Sequence, residues 1–202
     1  MRSKRLFDVV ASLVGLGLLI PLFLAVAVII RLESAGPAFF LQERVGLEGR
    51  RFCIIKFRTM RQSAPREGPQ ITVGPDPRIT KFGRLLRKSK LDELPQLINV
   101  LKGDMSLVGP RPEVPVYMAR YTPGQRAIIL SVRPGITDFA AIEFSNEADI
   151  LARAPDPELA YIDEVMPRKF VFYKRYVDER SFWLDLKLIA WTLAKIVGRR
   201  DK

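Results

Sequence analysis

The sequence predicts an α+β fold: a small membrane-associated domain with a β-hairpin, several amphipathic interfacial helices and an N-terminal membrane helix. Three observations indicate this. No charged residue occurs from Val9 to Ile30, and two apolar stretches flank the turn Gly46-Leu47-Glu48-Gly49. After residue 77, basic and apolar residues recur at helical spacing. The chain has 202 residues, which is enough for one domain with its own core.

The uncharged run predicts a membrane segment, residues 1–32, ahead of a domain of residues 33–202. As a helix the run reaches about 33 Å, close to the ~30 Å hydrocarbon thickness of a bilayer. Pro21 lies near its middle and should kink the helix. No small-residue cleavage site precedes Arg31, which argues against a signal peptide.

Both flanks of the membrane segment are basic, whereas the positive-inside rule gives a spanning helix one basic flank. The flanking cations are Arg2, Lys4 and Arg5 on one side and Arg31, Arg44, Arg50 and Arg51 on the other. A re-entrant helix that bends at Pro21 and returns to the same face satisfies both signals. From the residues alone, a re-entrant and a spanning helix both remain open.

Beyond the membrane segment, turn residues and periodicity predict the following elements. Strands are expected at 38–45 and 51–59, a mobile loop rich in Pro and Gly at 62–77, helices at 78–88 and 92–102, a stiff extended stretch at 109–115 and an acidic loop at 143–164. Residues 168–177 fit either a helix or a strand.

A second apolar stripe at helical spacing lies near the C-terminus. Its members are Phe182, Leu186, Ile189, Leu193 and Ile196, flanked by Trp183, Lys187 and Trp191 and followed by Arg199 and Arg200. Tryptophan and basic residues beside an apolar stripe suit the headgroup region of a membrane. An ordinary helix that faces the core explains the stripe equally well.

Composition limits the chemistry. The net charge of +11 requires an anionic partner: nucleic acid, an anionic membrane surface or phosphorylated small molecules. The chain has no histidine, which excludes imidazole catalysis and His-ligated zinc. Cys53 is the only cysteine, and its apolar surroundings predict a buried strand position rather than a reactive thiol. Carboxylates, Lys, Arg, hydroxyls and a hard metal ion remain.

The densest polar cluster contains an adjacent acidic pair, Asp92 and Glu93, at the first turn of the helix predicted from residue 92. An Asp there is a favoured helix cap and offsets the helix dipole, so a purely structural role is a strong alternative. However, Arg84, Arg87, Lys88 and Lys90 precede the pair. The helix N-terminus would hold Asp92 ionised as a nucleophile, and the two acids could share a magnesium ion.

Two further basic sites could contact phosphate. Gly109-Pro110-Arg111-Pro112 holds an arginine on a rigid backbone, which suits bidentate phosphate recognition. Lys56 and Arg58 leave the second strand on the same side. Each cation alone is more often a solvated surface charge, so the functional interpretation depends on their clustering.

At these residues the chain resembles the small monotopic phosphoglycosyl transferases, also called bacterial sugar transferases. The similarity covers nearly the whole sequence. Its motifs are Lys4-Arg5-Leu6-Phe7-Asp8, Gly36-Pro37-Ala38-Phe39-Phe40, Gln42-Glu43-Arg44-Val45-Gly46, Lys56-Phe57-Arg58-Thr59-Met60, Leu91-Asp92-Glu93-Leu94-Pro95-Gln96-Leu97, the stretch 99–113 and Arg133-Pro134-Gly135-Ile136-Thr137. So long and ordered a match is far more specific than a single short motif.

The resemblance implies a mechanism. Asp92 attacks the diphosphate of a UDP-sugar, expels UMP and holds a covalent phospho-sugar, which polyprenyl (undecaprenyl) phosphate then accepts. Magnesium is implied as the cofactor, held chiefly by Asp92 together with Glu93. Glu93 would act as a base toward the lipid phosphate or support the site from behind. Phosphate contacts are expected from Lys56, Arg58, Arg87, Arg111 and Arg133.

The resemblance also implies a location. The membrane helix would be re-entrant, and the catalytic domain would lie on the cytoplasmic face of the bacterial inner membrane, as the first membrane step of glycoconjugate synthesis. Expected partners are the donor, the lipid acceptor and the bilayer, with no nucleic acid; a homodimer is compatible with the sequence. Without the extra N-terminal helices of larger relatives, the chain should be the minimal catalytic form.

One departure concerns the donor. Many relatives continue the Pro-Gly-Ile-Thr motif with Gly-Trp, whereas this chain has Asp138 and Phe139. This region could shape the sugar or base pocket, so the sugar stays open. Two other classes of protein compete with the enzyme: a nucleic-acid-binding protein and a membrane scaffold whose acidic pair only caps a helix. The first would need exposed aromatic residues interleaved with the basic ones.

Overall fold

The computed structural model describes residues 2–62 and 71–198 and has the predicted α+β architecture. In chain order the elements are α1 (Arg2–Glu33), β1 (Phe39–Val45), β2 (Arg51–Phe57), α2 (Lys81–Lys88), α3 (Gln96–Lys102), β3 (Ser106–Val108), α4 (Pro115–Met118), α5 (Pro123–Ile129), β4 (Gly135–Thr137), α6 (Phe139–Glu143), α7 (Glu147–Leu151), α8 (Pro157–Ala160), α9 (Met166–Glu179) and α10 (Phe182–Gly198). Part of the predicted loop, residues 63–70, lies outside the described residues, as do Arg199 and Arg200.

The predicted hairpin is confirmed. β1 and β2 pair antiparallel, and Glu48 and Gly49 have positive φ in the turn between them. Cys53 is exposed, so its predicted burial is wrong. The alternation of the strand explains the error, because Ile54 takes the inward position and Cys53 the outward one. Asn99 of α3 hydrogen-bonds the β2 backbone at Ile55 N (3.0 Å) and at the Cys53 carbonyl (2.8 Å), which fixes α3 against the hairpin.

The N-terminal helix α1 lies along the domain and is fixed to it near its start. Lys4 Nζ is 2.6 Å from Asp185 Oδ2 of α10. Arg5 donates to the Val100 carbonyl at the end of α3 (2.7 Å), and buried Asp8 accepts from Ser106 Oγ (2.8 Å). Lys4 and Arg5, two of the cations that flank the apolar run, therefore bind the protein itself.

The far end of α1 contacts the same domain. Arg58 donates to the carbonyls of Ser34 (2.7 Å) and Ala35 (2.6 Å), and Glu33 accepts from the Phe82 backbone N–H (2.9 Å). Between its two ends α1 continues as one helix through Pro21. Both ends are therefore held by one folded unit.

The opposite face of α1 is an exposed apolar surface. It includes Leu6, Val10, Leu13, Leu18, Leu24, Val28 and Leu32. Among the described residues, Ser3–Glu33 is the one helix that is long and apolar enough to cross a membrane, and 11% of its most apolar window is buried. Exposed aliphatic side chains in such number need a nonaqueous partner.

Two motifs far apart in sequence meet in a short parallel ladder that the sequence did not predict. β3 pairs with β4 through Ser106↔Gly135 and Val108↔Thr137. A Cβ at Gly135 would lie 2.0 Å from the Gly109 nitrogen, so only glycine permits this approach. The ladder fixes the start of the Gly109–Pro112 stretch that carries Arg111.

The C-terminal third is helical. The ambiguous stretch 168–177 belongs to α9, and the predicted acidic loop contains short helices. The buried positions of α10 are Asp185 and Leu188, whereas Leu193 of the predicted stripe is 58% exposed. The stripe is shifted because Asp185 is bound by Lys4 and by the Tyr176 hydroxyl (2.9 Å), which allows a carboxylate to face the core. Trp183 and Trp191 are exposed.

Candidate active site

A cavity of about 1420 Å³ lies where β1, β2, the turn before α3, and the Gly109–Pro112 stretch converge, and both Asp92 and Glu93 line it. The pair belongs to a three-residue 3₁₀ turn, Leu91–Glu93, and α3 begins only at Gln96. Lys90 precedes the turn with φ 58°, a left-handed conformation that is costly for a lysine. The helix predicted from residue 92 therefore starts four residues later.

The structure does not support the alternative in which the pair caps a helix. The N-cap position of α3 is Pro95, and neither the turn nor α3 has a side-chain cap hydrogen bond. Asp92 and Glu93 are both more than 90% buried. Buried carboxylates without a capping role need another explanation.

Glu93 is neutralised by two cations. Its Oε1 is 2.9 Å from Lys56 Nζ and 2.5 Å from Arg111 Nη2, and its Oε2 is 3.2 Å from Arg111 Nη1. The β2 strand delivers Lys56, and the stretch after β3 delivers Arg111. The resulting bidentate contact is the geometry in which arginine binds carboxylates most strongly.

This pairing sets the protonation of all three groups. Burial alone would raise the pKa of Glu93, but Arg111 and Lys56 outweigh it and hold that pKa well below its usual range. Burial lowers the pKa of Lys56 to about 8 despite the attraction of Glu93. Glu93 raises the pKa of Arg111. Glu93 is therefore a weak base and its partners are cations at neutral pH.

Asp92 has a different environment although it is the next residue in the chain. Its Oδ1 is buried without a hydrogen-bond partner. Burial raises the pKa of Asp92, and the Glu93 carboxylate raises it further. The expectation that a helix N-terminus keeps this pKa low is wrong, since the three-residue turn supplies little dipole and burial dominates. Asp92 is therefore the more basic of the two acids, and unlike Glu93 it has a carboxylate oxygen without a partner.

Arg87 lies on the opposite wall, where α2 approaches the cavity. Its Nε donates to Thr59 Oγ1 (2.8 Å) and its Nη1 to Thr72 Oγ1 (2.9 Å). It lines the cavity and interacts electrostatically with Asp92. Lys56, Arg87 and Arg111 thus surround the acidic pair as predicted, in positions where a phosphate could bind.

Two predicted phosphate contacts have other partners. Arg58 touches the cavity, but its guanidinium donates to the carbonyls at the end of α1 and is 6% exposed. Arg133 is exposed, donates to the Gly103 carbonyl (2.9 Å) and is not one of the described residues that line the cavity. The alternation of side chains along a strand predicted that Arg58 lies on the same side as Lys56. However, β2 ends at Phe57, and the chain then turns toward α1.

Several cavity residues carry functional groups that sequence reasoning missed. Arg44 donates to the Pro112 carbonyl (2.9 Å) and so steadies the stretch that carries Arg111. Glu147, Tyr161, Lys169 and Tyr173 line a separate wall. Arg44 belongs to the motif Gln42-Glu43-Arg44-Val45-Gly46. Glu147 and Tyr161 come from the predicted acidic loop, and Lys169 and Tyr173 from the stretch that fitted either a helix or a strand, so no sequence pattern placed them at the cavity.

The acidic pair fits a magnesium ion only in part. Among the described residues no cluster of three or more metal-ligating side chains occurs. Glu93 is committed to Lys56 and Arg111, which leaves the unpartnered oxygen of Asp92. Magnesium commonly binds one or two carboxylates together with water and substrate phosphates. The residues therefore fit an ion held by Asp92 and completed by a phosphorylated ligand.

A buried carboxylate with a free oxygen, surrounded by cations, is suited to a phosphorylated substrate. The model of the bacterial sugar transferase family matches residues 1–199, and the chain belongs to that family.

Three relatives are informative. A protein of Aeromonas hydrophila named UDP-N-acetylgalactosamine-undecaprenyl-phosphate N-acetylgalactosaminephosphotransferase is 40% identical, over 96% of this chain and 43% of its own. An uncharacterized sugar transferase of Bacillus subtilis is 41% identical, over 98% and 88%. A UDP-glucose:undecaprenyl-phosphate glucose-1-phosphate transferase of Xanthomonas campestris pv. campestris is 38% identical, over 98% and 39%. The chain thus spans less than half of two of these relatives and most of the third.

Proposed function

We propose that this chain transfers a sugar 1-phosphate from a UDP-sugar to polyprenyl phosphate and releases UMP, through a covalent phospho-sugar on Asp92. The observation that carries the proposal is the buried, unpartnered Oδ1 of Asp92 inside a cavity lined by Lys56, Arg87 and Arg111. Two of the relatives are named as sugar-phosphate transferases that use undecaprenyl phosphate. Those names specify different sugars, so they leave the donor of this chain open.

In the first half-reaction, a carboxylate oxygen of Asp92 attacks the phosphorus that carries the sugar. A new P–O bond to Asp92 forms as the P–O bond to UMP breaks, and UMP leaves with that electron pair. The raised pKa of Asp92 favours attack, because a more basic carboxylate is a better nucleophile. Arg87, Lys56 and Arg111 supply positive charge where negative charge develops.

A magnesium ion fits the same site, with Asp92 as its protein ligand. When bound, it would neutralise the diphosphate and polarise the phosphorus toward attack.

In the second half-reaction, an oxygen of the lipid phosphate attacks the same phosphorus and Asp92 is released as a carboxylate. A phosphate dianion needs no base. Glu93, whose pKa is low, is better suited to hold Lys56 and Arg111 in place than to accept a proton. Of the two roles that the resemblance implied for Glu93, the geometry favours the supporting one.

The attachment of α1 supports a monotopic arrangement in which both ends of the membrane segment lie on one face of the bilayer. Arg5 at the start and Glu33 at the end of α1 both bind the same folded domain. A single domain cannot hold both ends of a helix if they lie on opposite sides of a bilayer. We place that domain on the cytoplasmic face of the bacterial inner membrane, where the water-soluble donor is available.

The test uses the full chain in detergent with magnesium, undecaprenyl phosphate and a panel of UDP-sugars, and measures UMP. We expect UMP from at least one donor and a loss of at least about 1,000-fold in Asp92→Asn, because the nucleophile is gone. Glu93→Gln should retain more activity than Asp92→Asn. Asp149→Asn, an exposed acid outside the cavity, is the matched control. UMP release by Asp92→Asn at the wild-type rate would refute the mechanism.

A further inference from the structure

The cavity has two chemically different walls. One is apolar and lies against β3, β4 and α10, with Leu107, Ile136 and Ile189 among its residues. The other carries polar groups and lies against the cluster around α9, with Glu147, Lys169 and Tyr173 among its residues. The acidic pair contacts neither set through a hydrogen bond. A site that must take both an isoprenoid lipid and a polar nucleotide sugar needs surfaces of both kinds.

In the polar wall, Lys169 and Tyr161 are buried and Glu147 is half-buried. Lys169 is 4% exposed, forms an ion pair with Glu147 and lies 5.0 Å over the ring of Tyr161. The Tyr161 hydroxyl donates to Glu113 (2.9 Å). Each partner is thereby held in place before any ligand binds, which lowers the entropic cost of binding.

Tyr173 is the exception in this wall. It is fully buried and lines the cavity, yet its hydroxyl has no hydrogen-bond partner. An unpaired buried hydroxyl is destabilising, and a native protein retains few of them without a reason. The Tyr121 hydroxyl is also buried without a hydrogen-bond partner, but Tyr121 is not one of the described residues that line the cavity.

We propose that this wall binds a polyhydroxyl ring of the nucleotide-sugar donor and that the ring supplies the missing partner of the Tyr173 hydroxyl. The inference depends on the proposed function and extends it to donor recognition. A carboxylate (Glu147) accepts from ring hydroxyls, an ammonium (Lys169) donates to them, and a tyrosine hydroxyl does both. Two rings of the donor have this chemistry: the transferred sugar and the ribose.

The test compares Tyr173→Phe with Tyr121→Phe in the UMP assay. Each variant removes one unpaired buried hydroxyl, so both should melt at or above the wild-type temperature. Only Tyr173→Phe should raise KM for the donor, by about 3- to 10-fold for one lost hydrogen bond. Equal KM values in the two variants would overturn the inference, while wild-type turnover would still support the proposed function.

Two sets of donors identify the ring that binds: donors that differ in the sugar, and a donor that lacks the ribose 2′-hydroxyl. If the transferred sugar binds here, the KM increase will differ among UDP-glucose, UDP-galactose and their N-acetyl forms. If the ribose binds here, the increase will be equal across sugars and will disappear with a 2′-deoxyuridine donor. Should Tyr173→Phe fail to fold, Glu147→Gln carries the same test, because glutamine can still accept from Lys169. Unchanged KM there would likewise overturn the inference.

Discussion

Two adjacent carboxylates in this site have opposite surroundings. Glu93 is matched by Lys56 and Arg111 and stays ionised, whereas Asp92 is buried with an oxygen left free. The difference arises because consecutive residues of a tight turn point in different directions. In the proposed mechanism, Asp92 is the nucleophile and Glu93 holds Lys56 and Arg111, so two adjacent residues have separate roles.

Another buried acid, Asp138, predicts a pH dependence of stability. Burial raises its pKa to about 6, although the Ala141 N–H donates to its Oδ1 (2.7 Å). Because the folded pKa is above the unfolded value of 3.8, protonation favours the fold. The stabilising effect of that protonation is fully present below about pH 4 and is lost as the pH rises through 6.

The measurement compares the free energy of unfolding of the wild type with that of Asp138→Asn, which can still accept from Ala141. Relative to the variant, the wild type should lose about 2 kcal/mol between pH 4 and pH 7.5. Asp149→Asn, which is exposed, should track the wild type. Parallel curves for wild type and Asp138→Asn would show that Asp138 does not titrate in this range.

At the scale of elements, the site depends on the close pairing of β3 with β4. Gly109 N donates to the Thr137 carbonyl and Gly135 N to the Pro110 carbonyl, both at 3.0 Å. These bonds fix the backbone on either side of Gly109 and so aim Arg111 at Glu93. Sequence patterns could predict the hairpin, whose strands are joined by a turn. They could not predict this ladder, because two three-residue strands far apart in the chain have no detectable period.

Gly135→Ala should therefore damage both fold and site. Its Cβ would lie 2.0 Å from the Gly109 nitrogen, which the backbone can relieve only by separating the strands. We expect a loss of about 3 kcal/mol in stability and a large drop in UMP release as Arg111 moves. Gly124→Ala, in open space within α5, should change stability by less than about 1 kcal/mol. Wild-type behaviour of Gly135→Ala would contradict this role.

For the whole molecule, the decisive feature is that α1 is part of the domain rather than a separate anchor. Lys4 and Asp8 tie its start to α10 and β3, while Arg58 ties its end to the close of β2. Under the proposed monotopic arrangement, the exposed apolar face of α1 would contact lipid and the cavity would lie at the membrane interface. The sequence predicted the membrane segment from its lack of charge. It did not predict that Lys4 and Arg58 bind the protein itself, because a cation that binds a carbonyl looks like any other cation in a sequence.

This arrangement predicts the accessibility of both ends of α1. In a Cys53→Ser background, needed because Cys53 is exposed, Ser3→Cys and Ala35→Cys should both react with a membrane-impermeant thiol reagent only after the cytoplasmic face is opened. Cells and inverted vesicles provide the two orientations. Labelling from opposite sides would show that the segment spans the bilayer.

The candidate site, like the fold, could be predicted from the sequence only in part. Asp92, Glu93, Lys56, Arg87 and Arg111 were identified from motifs, and all five line one cavity. Lys169 and Tyr173 were missed, since their roles depend on a helix whose periodicity was ambiguous and on which of its faces meets the cavity. Sequence motifs therefore identified the charged residues near Asp92, whereas tertiary packing determines which other residues line the cavity.

The central claim is the covalent intermediate, and intact-mass spectrometry tests it most directly. The full chain is mixed with magnesium and an active UDP-sugar, with no lipid acceptor. We predict a protein mass increased by one sugar phosphate, an equal amount of UMP, loss of the adduct when polyprenyl phosphate is added, and no adduct in Asp92→Asn. Unmodified protein without UMP, followed by turnover only when the acceptor arrives, would contradict the account and indicate direct transfer.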